Sequence, residues 1–274
     1  MRLRFRNAEA CLQAIPNFMT THQRAAVSAL PFLLLLAVHG QNAASPAAGE
    51  TRPSAAVAPA DYPPVTLPLK PVSGETIALI GNTLGERTLY YGHFETVLHR
   101  RFAGQQLTVR NLCHPGDTAG LRPRPGTPTQ WAFPDAARFN PDHQTHFGKG
   151  HYPTPDEWLT EVKATTIIAF FGFNESFGGP DRLPDFKAEL AAWIEHTQTK
   201  AYDGRTAPRI VLVTPIAFED RSNMYDLPKG AVENARLAAY AQAMLEVAAE
   251  KRIAAVDAFG VTREWYTAPG AQPL

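Results

Sequence analysis

Three short stretches of this chain put polar, reactive side chains where apolar runs stop. Gly81-Asn82-Thr83-Leu84 follows "IALI", Cys113-His114-Pro115-Gly116-Asp117-Thr118 follows "TVRNL", and Gly172-Phe173-Asn174-Glu175 follows "TTIIAFF". An Asn-Gly or Asp-Gly would satisfy ordinary turn chemistry at the first site, so Gly-Asn-Thr asks for another reason. A threonine hydroxyl is a nucleophile once a base takes its proton. A side-chain amide donates hydrogen bonds through its NH₂ group. His143, His146 and His151 in "PDHQTHFGKGH" are of metal-ligand type, but their spacing fits no compact zinc signature. No Gly-x-Gly-x-x-Gly follows the first apolar run, which leaves a nucleotide-binding reading without its fingerprint. No metal and no cofactor are expected.

Such residues act together only if the fold gathers them. From Val72 the chain alternates short apolar runs with amphipathic stretches. Candidate strands are "TIALIG" (76–81), "QLTVRNL" (106–112), "TTIIAFFGF" (165–173), "PRIVLVTPIAF" (208–218) and "IAAVDAFG" (253–260). Helical spacing marks 86–103, 185–201 and 230–252. Strands that are apolar throughout and separated by helices imply a parallel sheet covered on both faces. The expected class is α/β, a flavodoxin-like three-layer α/β/α sandwich with a five-stranded parallel sheet and right-handed crossovers. In such sheets ligands bind outside the carboxyl ends of the strands, where the three polar stretches fall.

The 274 residues carry 26 Lys and Arg against 26 Asp and Glu. That balance, with no basic stripe interleaved with aromatics, excludes nucleic acid as an expected partner. Ala25 to Val38, "AAVSALPFLLLLAV", reads as the apolar core of a secretory signal, too short for a membrane span of about 20 residues. Residues 1–40 are assigned to that signal, with Met19 as an alternative start, and 41–71, rich in Ala and Pro, to a linker. The product is therefore expected to be exported, periplasmic or extracellular, with no stable membrane span. Cys11 would leave with the signal, so Cys113 stands alone as a small buried residue.

The order and placement of "GNTL", "PGDT" and "GFNE" resemble the SGNH, or GDSL, hydrolases, across about Thr76 to Gly260. The resemblance implies the SGNH hydrolase fold and an esterase that transfers an O-acyl group to water. Thr83 would be the nucleophile. Its own N–H, the Gly116 N–H and the Asn174 amide would hold the oxyanion, with Gly81, Asn82, Gly172 and Glu175 in support, Glu175 by ordering its loop. Two features depart from the family pattern. Thr and Asn stand where Ser and Asp are usual, and no Asp-x-x-His follows Asp257. The second departure, with no closing helix expected after the fifth strand, predicts a chain truncated at its carboxyl end. It also leaves His114 as a substitute base. The expected substrate is a small-molecule or glycan ester. The rival reading is a non-catalytic extracellular binding module on the same fold. Aromatics of the 121–158 loop, Trp131, Phe133, Phe139, Tyr152 and Trp158, would either stack on a sugar ring or pack the loop onto the sheet.

Overall fold

The structure is a computed structural model that describes residues 65–123, 130–141, 143 and 152–270. The signal, most of the linker, His146 and His151 lie outside the described residues. The described chain packs from Val65, ahead of the Val72 boundary expected from composition. Val65 and Leu69 lie against an apolar cluster, and the Arg209 guanidinium donates to the Lys70 carbonyl.

Five parallel strands form one sheet: β1 (Thr76–Gly81), β2 (Thr108–Asn111), β3 (Thr166–Phe170), β4 (Arg209–Val213) and β5 (Ala254–Val256), in the order β2-β1-β3-β4-β5. Side chains alternate across the pleat. Ile77, Leu79, Ile168 and Val211 point to one face, and Ala78, Ile80, Ile167, Ala169 and Leu212 to the other. The first face is covered by α2 (His93–Arg101), which follows α1 (Thr83–Tyr91), through Phe94 and Leu98. The second is covered by α3 (Pro155–Glu161), α4 (Leu183–Gln198) and α5 (Ala231–Glu250), whose Leu159, Leu190, Trp193, Ile194, Met244 and Val247 are buried. Both faces are thus closed by helices, which is why the inner strands β1, β3 and β4 are largely apolar rather than alternating, whereas the edge strand β2, Thr-Val-Arg-Asn, leaves Arg110 exposed. At the amino ends of the strands, buried Glu75 takes hydrogen bonds from Thr166 and Arg209 and locks β1, β3 and β4 together.

Three expectations need correction. The helix expected over 86–103 is two helices, broken at Gly92, whose φ of 62° ends α1 and starts α2. The fifth strand stops at Val256 because Asp257 caps α6 (Ala258–Thr267), its carboxylate accepting from the Gly260 N–H at 2.8 Å. A helix therefore does follow the last strand, and its Phe259 and Tyr266 pack with Leu237 and Ala241 of α5. Finally, the loop between β2 and β3 contains α3, opened by a capping box in which Thr154 and Glu157 bond each other's backbone N–H.

Candidate functional site

The β1 end is shaped by close backbone approach. Gly81 has φ 110°, and a Cβ there would lie 2.1 Å from the Phe170 carbonyl oxygen, so only glycine fits. The next residue explains the amide. Asn82, 2 % exposed, donates its N–H to that same carbonyl at 2.9 Å, and its side chain accepts from the Leu84 N–H at 3.1 Å. It is the N-cap of α1, and it fixes where Thr83, the first helical residue, must sit. The Thr83 hydroxyl and N–H have no hydrogen-bond partner among the described residues.

Thr83, with Asn82 and Leu84, lines a cavity of about 270 Å³ whose other walls are Phe170, Phe171 and Phe173 from the end of β3, Val213, Thr214, Pro215 and Ile216 from the end of β4, and Arg87 of α1. Apart from Phe173 and Leu84, which sit inside "GFNE" and "GNTL", none of these apolar residues was singled out from the sequence. The usable signal was position: "TPIAF" follows β4 as "GFNE" follows β3. Arg87 is the only ionisable residue among the described residues of that wall.

The second and third polar stretches are tied to the first and to each other. The His114 N–H donates to the Gly81 carbonyl at 2.9 Å. Gly116, at φ 89°, turns the chain, and its N–H has no acceptor among the described residues. The Asn174 amide spends one hydrogen on the Asp117 carbonyl at 2.8 Å and keeps the other. Glu175 bridges both loops, accepting from the Gly172 N–H at 2.8 Å and the Ala119 N–H at 3.1 Å. By surface area Glu175 is only partly buried, yet its carboxylate lies under enough protein that desolvation pushes its pKa up to about 7 against those two hydrogen bonds.

The sequence-derived residues do not all share one wall. Asn82 and Thr83 line the 270 Å³ cavity, whereas Asn174 and Glu175 border a second cavity of about 220 Å³. Gly116 borders neither. His114 is exposed, and its Nδ1 sits 2.8 Å from the Pro115 carbonyl, which assigns the proton to Nδ1 and leaves Nε2 as the basic nitrogen. Cys113 is a buried free thiol whose pKa is raised by burial. No group of three or more metal-ligating residues occurs among the described residues; His143 instead meets Gln130 and the edge of Trp131. Phe133 is buried in the core with Trp131 and Phe139 packed against it, so these loop aromatics hold the loop onto the sheet. Among the described residues no helix is long and apolar enough to cross a membrane.

No family model matches the chain, and no curated protein matches it. Among solved structures it is similar to Axe2, an acetylxylan esterase from Geobacillus stearothermophilus, with 14 % identity, 70 % of this chain and 80 % of that chain covered, and a TM-score of 0.44. It is also similar to LAE5, an alpha/beta hydrolase from the metagenome of Lake Arreo, Spain, with 18 % identity, 73 % and 85 % coverage, and a TM-score of 0.46.

Proposed function

We propose that this domain is an exported ester hydrolase that transfers an O-acyl group to water, with Thr83 as the nucleophile and an acylated carbohydrate within its substrate class. The observation that carries the reading is the Thr83 hydroxyl itself, unbonded within the described protein and set at a helix amino terminus beside an apolar cavity. In the reaction, Thr83 Oγ1 attacks the acyl carbonyl as a base takes its proton. The acyl chain lies along Phe170, Phe171 and Ile216. The candidates to meet negative charge developing on the carbonyl oxygen are the unspent donors, the Thr83 N–H at the cavity, and the Gly116 N–H and the second hydrogen of the Asn174 amide, which border other surfaces and would have to turn toward it. The alcohol leaves with a proton, and water then releases the acid and restores the hydroxyl. Among described residues, His114 Nε2 is the candidate base.

A second reading, a non-catalytic binding module, is favoured by one observation: no carboxylate or imidazole occurs among the described residues that line the Thr83 cavity. The two separate on a single series. The full chain with an activated acetyl ester should release acid slowly but above background, Thr83→Ala should abolish the release, and Thr83→Ser, which removes the methyl that stiffens χ1, should preserve or raise it. Hydrolysis unchanged in Thr83→Ala would refute the nucleophile. An inert wild type that still binds a phosphonate analogue supports the module.

A further inference from the structure

The charge of the Thr83 cavity has one sign. Arg87 is the one ionisable side chain among the described residues that line it, and most of the remaining wall is the apolar and aromatic surface of Phe170, Phe171, Phe173, Val213 and Ile216. Thr83 and Arg87 lie four residues apart on α1, a spacing that sets side chains on the same helix face with about 5–6 Å between their Cβ atoms. Helical side chains also lean toward the amino end, so Arg87 reaches back toward the hydroxyl one turn before it. Its side chain is 60 % exposed, which puts it at the cavity mouth. Among the described residues its guanidinium makes no hydrogen bond: the Glu86 carboxylate stands 3.8 Å away, beyond hydrogen-bond reach, and the Tyr90 ring lies under it at 5.4 Å. Glu86 does not carry its charge into the cavity. Adjacent helical residues do not share a face, and Glu86 lies outside the cavity wall, largely buried, accepting from the Tyr90 hydroxyl at 2.9 Å.

Resting on the esterase reading of Thr83, we propose that Arg87 determines specificity by binding a carboxylate at the far end of the acyl chain, so that the preferred substrate is a half-ester of a dicarboxylic acid. The methylenes between the ester carbonyl and the carboxylate lie on the aromatic wall, and the carboxylate meets the guanidinium at the mouth. A guanidinium presents a planar fork of N–H donors that matches a carboxylate in pairs. One guanidinium balances one negative charge, and no second cation lines the cavity to meet a dianion. The acyl side is assigned because the apolar wall and Arg87 belong to the same cavity as the Thr83 hydroxyl. A cationic acyl chain is excluded there by repulsion with nothing in the wall to offset it.

Two readouts on the full chain keep this proposal separable from the esterase reading. The first needs no turnover: calorimetric titration with adipamate, the monoamide of adipic acid, and with hexanamide, which has the same chain length and no charge. Adipamate should bind about tenfold or more tighter than hexanamide, and Arg87→Gln should remove most of that difference. Arg87→Lys, which keeps the charge and loses the fork, should retain part of it. The second readout is the ratio of kcat/KM for the 4-nitrophenyl half-ester of adipic acid to that for 4-nitrophenyl hexanoate. That ratio should favour the half-ester, and it should fall about tenfold in Arg87→Gln. An inert chain that still binds adipamate through Arg87 would support the carboxylate site while ending the esterase reading. Hydrolysis with equal binding of the two amides, or a half-ester preference undiminished in Arg87→Gln, would overturn the proposal and leave the esterase reading standing. So would a preference for 4-acetoxybenzoate over its methyl ester with none for the half-ester, which would place the recognised charge on the alcohol.

Discussion

The Asn174 amide donates to the Asp117 carbonyl at 2.8 Å, joining the loop after β3 to the loop after β2 across 57 positions of sequence. A side chain at a strand end reads from sequence as solvent-facing and free of packing duty; here it fastens the turn that carries Gly116. Asn174→Ala should therefore cost about 1 kcal/mol of stability from the lost hydrogen bond. If Asn174 holds the oxyanion as proposed, the same variant should lower ester turnover by about a hundredfold or more. Urea midpoints and initial rates on the same preparation check both. A variant that loses stability but keeps its rate would reduce Asn174 to a brace.

Gly81→Ala should be among the most damaging single substitutions. The new methyl would lie 2.1 Å from the Phe170 carbonyl oxygen, in backbone that cannot yield without breaking the pairing of β1 with β3, and φ 110° strains any L side chain. A loss of at least about 3 kcal/mol is expected. Gly92→Ala, with nothing within 4 Å of the added carbon and φ 62°, bears only the conformational cost and should lose about 1 kcal/mol. Equal midpoints for the two variants would refute the close-approach argument.

Asp156 anchors α3 to α4 and to Tyr202. Burial alone would raise its pKa, but hydrogen bonds from His196, Tyr202 and Lys200 outweigh burial and hold it at about 2. A carboxyl depressed in the folded state stabilises above its unfolded pKa and loses that contribution as pH falls through the folded one. Asp156 is about one-third exposed, so the contribution is on the order of 1–2 kcal/mol after screening. Thermal melts should show wild type ahead of Asp156→Asn by a constant margin above pH 5. The margin should shrink steadily toward pH 2, and a pH-independent margin would mean that Asp156 acts by packing alone.

The inner strands were legible because burial on both faces leaves them largely apolar, and the polar stretches at their ends stood out against that background. Boundaries were harder. Gly92 sits inside a helical apolar pattern that continues past it, so periodicity runs two helices together. "TPDE" at 154–157 is a readable capping box, but the Pro-rich and aromatic surroundings hide the short helix it opens. Asp257 ends β5 by capping, a role that residue type alone shares with any turn. The cavity wall was least legible of all, since Phe170, Val213 and Ile216 are the same residue types that fill the core, and only the fold decides that these face a void. Glu189, spaced as one more residue of an amphipathic helix, gave no sign that its carboxylate would be buried.

Glu175 offers the sharpest pH test. Burial raises its carboxyl to about 7, with the nearby Glu189 charge adding to the rise and the N–H groups of its own residue, Ala119 and Gly172 opposing it. The folded state thus holds a proton that the unfolded chain has already released above about pH 4.3. Stability from this group is fully present below the unfolded pKa, declines as pH rises through the window to about 7, and levels off beyond. The slope inside the window should be on the order of 1 kcal/mol per pH unit. Glu189, also raised to about 7 by burial, adds a slope of its own over the same range. Glu175→Gln cannot ionise, and its NH₂ must face one of the two backbone donors, so one hydrogen bond worth about 1 kcal/mol is lost. The variant should be less stable than wild type at pH 5, and the gap should narrow or reverse by pH 8. Glu175→Gln with Glu189→Gln should flatten what slope remains. Urea midpoints at half-unit steps from pH 5 to 8.5 decide it: a wild-type curve that rises with pH, or a single variant that keeps the full wild-type slope, would show that the Glu175 carboxylate is ionised in the folded protein across the whole range.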